Sequence, residues 1–90
     1  MSGKYKTFID KDIEDLSLTD VPGIGPIRAA RLKKYGISNA EDLLVIYIFF
    51  NDNSAFKVWY EEVCHPNKRW TGITSEALNF FYRINYQHKK

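Results

Sequence analysis

The chain has 90 residues, 44% of them hydrophobic and 16% aromatic, which allows one compact domain over residues 1–90 and excludes a chain that is disordered as a whole. Its single cysteine excludes an intrachain disulfide, and its longest apolar run, residues 43–50, is too short for the roughly 20 residues that span a bilayer. Because the start of the sequence lacks the apolar core of a signal peptide, we expect an intracellular protein without membrane insertion. The net charge of +2 is unevenly distributed along the chain, since residues 21–39 carry four cations and no acid.

Two short helices are predicted before Pro22. Residues 4–9 have the apolar spacing of one short helix. A second helix is predicted over residues 12–19, and Pro22 closes it because the residue before a proline avoids the α region. Its predicted core-facing positions are Ile13, Leu16 and the following Val21.

The next two helices have well-marked ends. One is predicted to begin at Pro26, where a missing N–H costs nothing, and to end just before Gly36, its left-handed cap residue. Ser38 followed three residues later by Glu41 is a capping-box pattern, so a helix is predicted over residues 39–50. A strand would suit that stretch by residue type, but it would have no second strand to pair with.

Two further amphipathic helices complete a predicted all-α fold of five or six helices. After a polar break at residues 51–53, apolar residues recur at i, i+3, i+4 and i+7. These residues are Phe56, Trp59, Tyr60 and Val63. The last helix is predicted to follow Gly72, with Thr74 or Ser75 as its cap. Its predicted inward residues are Ala77, Phe80, Phe81 and Ile84.

Residues 22–36 carry the most informative pattern, a turn with two glycines immediately before a helix. Gly23 and Gly25 permit positive φ angles and close approach of a phosphate, and Ile24 is predicted to point inward as a plug between helices. The free N–H groups and the positive dipole end of the following helix face the same spot as the glycine amides. This spot is a predicted anion site.

Four cations on the same helix extend that site. Arg28 and Arg31 lie one turn apart and are predicted to flank the anion, whereas Lys33 and Lys34 add longer-range attraction to a duplex backbone. An acid-free basic segment is the footprint expected of a phosphate-binding surface, and phosphate contacts do not read sequence. A hairpin that only packs two helices together is the alternative that stays open.

The turn resembles a helix-hairpin-helix motif over about residues 13–36. That motif has a hydrophobic-Gly-hydrophobic-Gly turn, then a small residue four positions after the second glycine, and a leucine three positions later. The matching residues are Gly23, Ile24, Gly25, Ala29 and Leu32.

Most of residues 4–65 are also similar to the barrier-to-autointegration factor family, helical DNA-bridging proteins of about this length. The shared features are Lys4, Lys6 and Phe8, the turn at residues 23–25, Trp59, and the Glu-Val-Cys sequence at residues 62–64. The resemblance implies a non-enzymatic nuclear chromatin protein, with the cytoplasm as a second location, that dimerises and holds two duplexes by their backbones. It also implies DNA contacts at Lys4, Lys6, Gly23, Gly25 and Arg31.

A protein interface is predicted along residues 45–50, because the eight consecutive apolar residues 43–50 exceed what a few thin helices can cover. The predicted interface residues are Val45, Ile46, Phe49, Phe50 and Trp59. Val45 stands where the family usually has glycine inside the subunit interface. Both a homodimer and a heterodimer with a related family member therefore stay open.

The groove that in family members receives LEM-domain proteins of the inner nuclear membrane is altered. Asn51 and Asp52 replace basic residues and Ala55 replaces a larger apolar one, so this partnership is an open alternative rather than an expectation. The final helix keeps only the family's apolar pattern, which suggests a diverged paralogue.

No catalytic, metal or cofactor site is predicted. Cys64, His65 and the distant His88 give at most three ligands without paired spacing, and adjacent helix residues point about 100° apart, which excludes a Cys-His nucleophile. Three function classes therefore compete: a DNA binder and bridge, an adaptor of the same fold that acts through protein contacts, and a hairpin module of a nuclease or repair complex. The adaptor interpretation predicts weak DNA affinity.

Overall fold

The computed structural model describes residues 12–65 and 68–84. Within them the chain forms two 3₁₀ turns followed by four α-helices, and no strand. The 3₁₀ turns are Ile13–Asp15 and Leu18–Asp20, and the helices are α1 (Pro26–Lys34), α2 (Ala40–Phe50), α3 (Asn53–Cys64) and α4 (Lys68–Tyr82). The all-α single-domain prediction is confirmed. The predicted number of five or six helices includes one over residues 4–9, which lies outside the described residues.

The predicted helix over residues 12–19 is wrong in form. Two 3₁₀ turns stand there instead, joined by Leu16 in an extended conformation (φ −103°, ψ 135°). The reason is local, because the N–H of Ser17 donates to the Asp20 carboxylate at 2.9 Å, and such bonds compete with a continuous helix. The predicted core positions are confirmed as buried: Ile13, Leu16 and Val21.

Helix α1 begins and ends where predicted. Pro26 is its first residue, and Gly36 adopts φ +83° just after its end. The N–H of Gly36 donates to the Lys33 carbonyl at 3.0 Å, and the N–H of Ile37 donates to the Leu32 carbonyl at 3.1 Å. Together these bonds form a Schellman motif, which fixes where the helix stops.

Helix α2 is confirmed as a helix, but its cap differs from the predicted one. Asn39 is the N-cap, since its Oδ1 accepts the N–H of Asp42 at 2.9 Å, and the Asp42 carboxylate accepts the N–H of Ser38 at 2.9 Å. The capping box predicted at Ser38 and Glu41 is therefore wrong. The reason lies outside the local pattern, because Asn39 pairs with Ser17 in an isolated antiparallel bridge that keeps it extended.

Helix α4 begins earlier than predicted. It starts at Lys68, so Thr74 and Ser75 lie inside it and the predicted cap is wrong. Both hydroxyl groups instead find partners on other elements. Thr74 Oγ1 donates to the Pro22 carbonyl at 2.9 Å, and the Ser75 hydroxyl donates to the Asn53 side chain.

The buried face of α4 is also rotated from the predicted one. Ala77 and Phe81 are buried as predicted, but Phe80 and Ile84 are each 39% exposed. The residues that pack on the core are Thr71, Thr74, Ser75, Ala77, Leu78 and Phe81. A stripe predicted from apolar residues alone misses this face, because buried hydroxyl groups with hydrogen-bond partners take the place of apolar side chains.

Helix α3 carries the centre of the core and packs against α1, α2 and α4. Phe56, Tyr60 and Val63 are buried as predicted, and Trp59 is half-buried. No helix in the described ranges is long and apolar enough to cross a membrane. Because α1 and α4 both pack on α3, this helix supports both the turn before α1 and the start of α4.

Candidate nucleic-acid interface

The turn before α1 presents backbone rather than side chains. Gly23 adopts φ +89°, a conformation that side chains rarely adopt, and Ile24 is fully buried beneath the turn. Ile24 is thus the predicted plug, and its side chain is unavailable to a ligand. Gly25 is the N-cap of α1, and a Cβ added there would meet no atom within 4 Å, so its outer side is open.

The first residues of α1 leave backbone donors at this open side. Pro26 has no N–H, and the N–H of Ala29 donates to the Gly25 carbonyl at 3.0 Å. Helix geometry gives the N–H groups of Ile27 and Arg28 no intrahelical acceptor, and they lie at the positive end of the helix dipole. This end of α1 is therefore suited to a phosphate oxygen.

Helix α4 packs directly against the turn, a contact that the sequence analysis missed. A Cβ added to Gly23 would collide with Thr74 Oγ1 and lie 3.2 Å from the carbonyl oxygen of Trp70. Thr74 also holds the Pro22 carbonyl by its hydrogen bond, across 52 positions in sequence. The only sequence signal for this contact was a threonine at a core-spaced position of the last helix.

Two arginines of α1 are held beside the turn. Arg31 donates from Nη1 to the Cys64 carbonyl at 2.8 Å, at the end of α3. The guanidinium carbon of Arg28 lies 6.0 Å from the ring centroid of Trp70 on α4. A guanidinium has five N–H donors in a planar fork, so both groups keep donors for a phosphate.

A cleft of about 380 Å³ opens between the start of α1 and the end of α3. Its lining residues are Gly25, Pro26, Ile27, Arg28, Arg31, Cys64 and His65. Among the described residues, its lining has two guanidinium groups and no acid, which favours an anionic ligand. The structure therefore brings three of the predicted DNA-binding residues, Gly25, Arg28 and Arg31, to one surface.

The predicted lysines are more distant or lie outside the described residues. Lys33 and Lys34 are exposed in the last turn of α1, roughly 11 Å along the helix from Pro26. That distance fits longer-range attraction rather than a contact at the turn. Lys4 and Lys6 fall outside the part of the chain that the structure describes.

A second basic element stands at the start of α4, and the sequence analysis did not assign it to the site. Lys68 and Arg69 are exposed there, and the guanidinium carbon of Arg69 lies 5.8 Å from the ring centroid of Trp70. The signal in the sequence was that residues 63–90 contain five basic residues and only one acidic residue. Because α4 also packs on Gly23, these cations lie on an element that contacts the turn.

Helix α2 keeps an apolar face that the described residues leave exposed. Val45 is 59% exposed and Phe49 is 82% exposed. Ile46, Phe50 and Trp59 are half-buried, and the Phe50 ring lies 6.1 Å from the Phe49 ring and 6.0 Å from the Trp59 ring. Val45 lies one helical turn from Phe49, so the predicted interface residues include a continuous apolar surface.

Cys64 is a packing residue beneath the cleft. Its Sγ lies 3.9 Å from the Arg28 carbonyl as a weak donor, and burial raises the pKa of the thiol from 9.0 to about 11. A thiol held neutral in this way is a poor nucleophile and a poor metal ligand. Within residues 12–65 and 68–84, no group of three or more His, Cys, Asp or Glu could hold a metal ion.

Alkaline solution is expected to destabilise the fold through two buried groups. Burial raises the pKa of the Cys64 thiol to about 11, and it raises the pKa of the Tyr60 hydroxyl well above its ordinary 10.0. The unfolded chain ionises first, so the stability contributed by the neutral thiol is complete below about pH 9 and is lost as pH rises toward 11. Urea unfolding of the wild type and of Cys64→Ala at about pH 8 and about pH 10 measures this loss, which should be smaller in the variant. Equal wild-type stability at both pH values would contradict the expectation.

Comparisons with known proteins identify the family. A family model described as Barrier to autointegration factor matches residues 1–84. The chain belongs to the barrier-to-autointegration factor family. A curated relative, the barrier-to-autointegration factor of Drosophila melanogaster, is 32% identical over 79 residues, which are 87% of this chain and 88% of the relative. The resemblance predicted from the sequence is thus confirmed.

Membership of the barrier-to-autointegration factor family supports a DNA-binding, chromatin-related function in general. The family is non-enzymatic, which is consistent with the expectation that this chain is not an enzyme. A nuclear location and dimer formation are also consistent with the family.

Proposed function

We propose that this family member binds double-stranded DNA by contacts to the DNA phosphates, independently of base sequence. We also propose that it bridges duplexes as a dimer in the organisation of chromatin. The observation that carries the proposal is the start of α1, where the open backbone of Gly25 and the guanidinium groups of Arg28 and Arg31 meet in a cleft that no acid of the described ranges lines. Family membership supports DNA binding in general. The proposed DNA-binding residues are Lys4, Lys6, Gly23, Ile24, Gly25, Arg28, Arg31, Lys33 and Lys34. Among them Ile24 acts as the buried plug that shapes the turn, and Lys33 and Lys34 attract the duplex at longer range.

Sequence independence follows from the kind of contact that this surface offers. The turn offers N–H groups and the cleft offers guanidinium groups, both of which are donors suited to phosphate oxygens. Phosphates are alike at every base pair, so such contacts fix the position of the protein and carry no sequence information. Each neutralised phosphate releases counterions, so affinity should fall steeply with salt.

Bridging requires a second copy, because the described part of each chain has a single hairpin turn of this kind. The apolar face of α2 supports an interface there, since burying Val45 and Phe49 would remove large exposed apolar side chains from water. We place the interface of a homodimer, or of a heterodimer with a related family member, on Val45, Ile46, Phe49, Phe50 and Trp59. Such a complex would act in the nucleus.

Two-duplex capture tests the bridging. Wild-type protein bound to a duplex on beads should retain a second, fluorescent duplex of unrelated sequence. The double variant Val45→Asp with Phe49→Asp should have monomer mass by light scattering, should still bind one duplex, and should lose the second, because two buried carboxylates would oppose the interface. The matched control is Val58→Asp on α3, since Val58 is 60% exposed and Val45 is 59% exposed. Retention of the second duplex by a monomeric double variant would refute bridging by a dimer.

The adaptor alternative keeps the fold and acts mainly through protein contacts. The exposed apolar surface that includes Val45 and Phe49 supports it as well as the dimer, because a contiguous exposed apolar surface marks a protein interaction site. Under this alternative, wild-type DNA affinity is weak. Changes at Val45 or Phe49 would then impair function more than changes at Arg28 or Arg31.

LEM-domain proteins stay an open class of partner under either function. Asn51 and Asp52, which stand where family members have basic residues, are exposed and line a polar cleft of about 230 Å³. In its wall the Tyr47 hydroxyl donates to Asn79 Oδ1 at 3.0 Å. Within the part of the chain that the structure describes, the lining includes a carboxylate and no cation, so a partner segment there should itself carry cations.

A further inference from the structure

We propose that Trp70 is a positioning residue for DNA binding: its ring holds the guanidinium groups of Arg28 from α1 and Arg69 from α4 at the hairpin turn, ready for phosphate. This inference rests on the proposed function and deepens it. It concerns a residue that the helix-hairpin-helix pattern does not contain, since Trp70 lies on α4, well beyond residues 13–36.

The Trp70 ring lies near a guanidinium group from each of two helices. The guanidinium carbons of Arg28 and Arg69 lie 6.0 Å and 5.8 Å from the Trp70 ring centroid, within the range at which the negative face of an indole attracts a cation. The backbone of Trp70 packs on the turn at the same time, because its carbonyl oxygen would lie 3.2 Å from a Cβ added to Gly23. The backbone of Trp70 therefore packs against the turn while its ring lies near both guanidinium groups.

The charge arrangement points to an anionic ligand. Two guanidinium groups at the same ring repel each other, and an anion bound to either of them lowers that repulsion. The Nε of Arg28 is buried and has no hydrogen-bond partner among the described residues, so stacking and packing rather than a carboxylate hold this side chain. A guanidinium held in this way keeps its outer donors free to bind a phosphate.

Positioning raises affinity because it removes an entropic cost. A free arginine loses rotamer freedom when it contacts a phosphate, whereas one that already stacks on an indole loses less. Arg31, one turn further along α1, is held by the Cys64 carbonyl at 2.8 Å. The cleft therefore has two positioned guanidinium groups on one face of α1, one held by α3 and one by α4.

The test compares Trp70→Ala, Trp70→Tyr and the matched control Phe80→Ala on a labelled random duplex. Phe80 lies on the same helix and is 39% exposed, against 37% for Trp70. We expect Trp70→Ala to weaken binding about fivefold, Trp70→Tyr to restore most of it, and Phe80→Ala to bind as wild type. Trp70→Leu replaces Trp70→Ala if the latter does not fold, because leucine fills volume without an aromatic face.

A double-mutant cycle separates positioning from a purely structural role. In an Arg28→Ala, Arg69→Ala background, removal of the Trp70 ring should have little further effect on DNA affinity, because no guanidinium remains to be held. The same loss in both backgrounds, or wild-type affinity in Trp70→Ala, would overturn the inference and leave the proposed function intact. A wild type that does not bind duplex DNA would overturn both.

Discussion

The Gly23→Ala variant is expected to lose about 3 kcal/mol of stability and nearly all DNA binding. Its φ of +89° disfavours any side chain, and the added Cβ would collide with Thr74 Oγ1 and crowd the Trp70 carbonyl. Thr74 cannot turn aside without cost, because it is fully buried and bound to the Pro22 carbonyl. Urea unfolding followed by circular dichroism, with fluorescence anisotropy on a labelled duplex, measures both effects.

Gly25→Asp is the matched control at the other glycine of the turn. Gly25 has an extended conformation as the N-cap of α1, and an added Cβ would meet no atom within 4 Å. Aspartate is a favourable N-cap at the positive end of a helix, so stability should be unchanged or higher. A carboxylate there should nevertheless repel a phosphate and abolish binding. Wild-type DNA affinity in Gly25→Asp would show that no phosphate approaches the turn.

The double variant Arg28→Glu with Arg31→Glu is expected to bind DNA at least about a hundredfold more weakly than wild type. Both side chains line the cleft beside the turn, and the substitutions replace two phosphate donors with two carboxylates. Lys33→Glu with Lys34→Glu makes the same change in net charge on the same helix, at its other end. Anisotropy titrations at one salt concentration compare the two double variants.

The relative loss of affinity in the two double variants separates direct phosphate contact from the effect of overall charge. The Lys33→Glu, Lys34→Glu variant should bind about tenfold more weakly than wild type, because it loses only longer-range attraction. Equal losses in the two double variants would mean that DNA responds only to net charge. Unchanged DNA affinity in the Arg28→Glu, Arg31→Glu variant would show that the hairpin hypothesis is wrong and would favour the adaptor function.

Local chemistry made α1 and its turn predictable. A proline at the first helical position and a glycine just after the last one each have a backbone reason that acts within a few residues, and both ends were confirmed. The open backbone at Gly25 and the inward Ile24 follow from the same short pattern. Such helix-end preferences act within a few residues, so they can be applied without knowledge of the rest of the fold.

Elements set by distant contacts were not predictable in the same way. The N-cap of α2 is Asn39 rather than the predicted Ser38, because Ser17, from another part of the chain, pairs with Asn39. Thr74 looked like a helix cap because threonine favours caps, yet it is buried in mid-helix against Pro22. For the same reason the role of α4 beside the turn was missed, although its cations were visible in the composition.

Binding of the wild-type protein to unrelated short duplexes across a salt series tests whether this hairpin recognises the DNA backbone. We expect log Kobs to fall linearly with log salt, with a slope of about −3 or steeper, as three or more neutralised phosphates require, and with the same slope for every sequence. Binding confined to one sequence, affinity that does not change with salt, or no binding at all would contradict recognition of the DNA backbone by this hairpin.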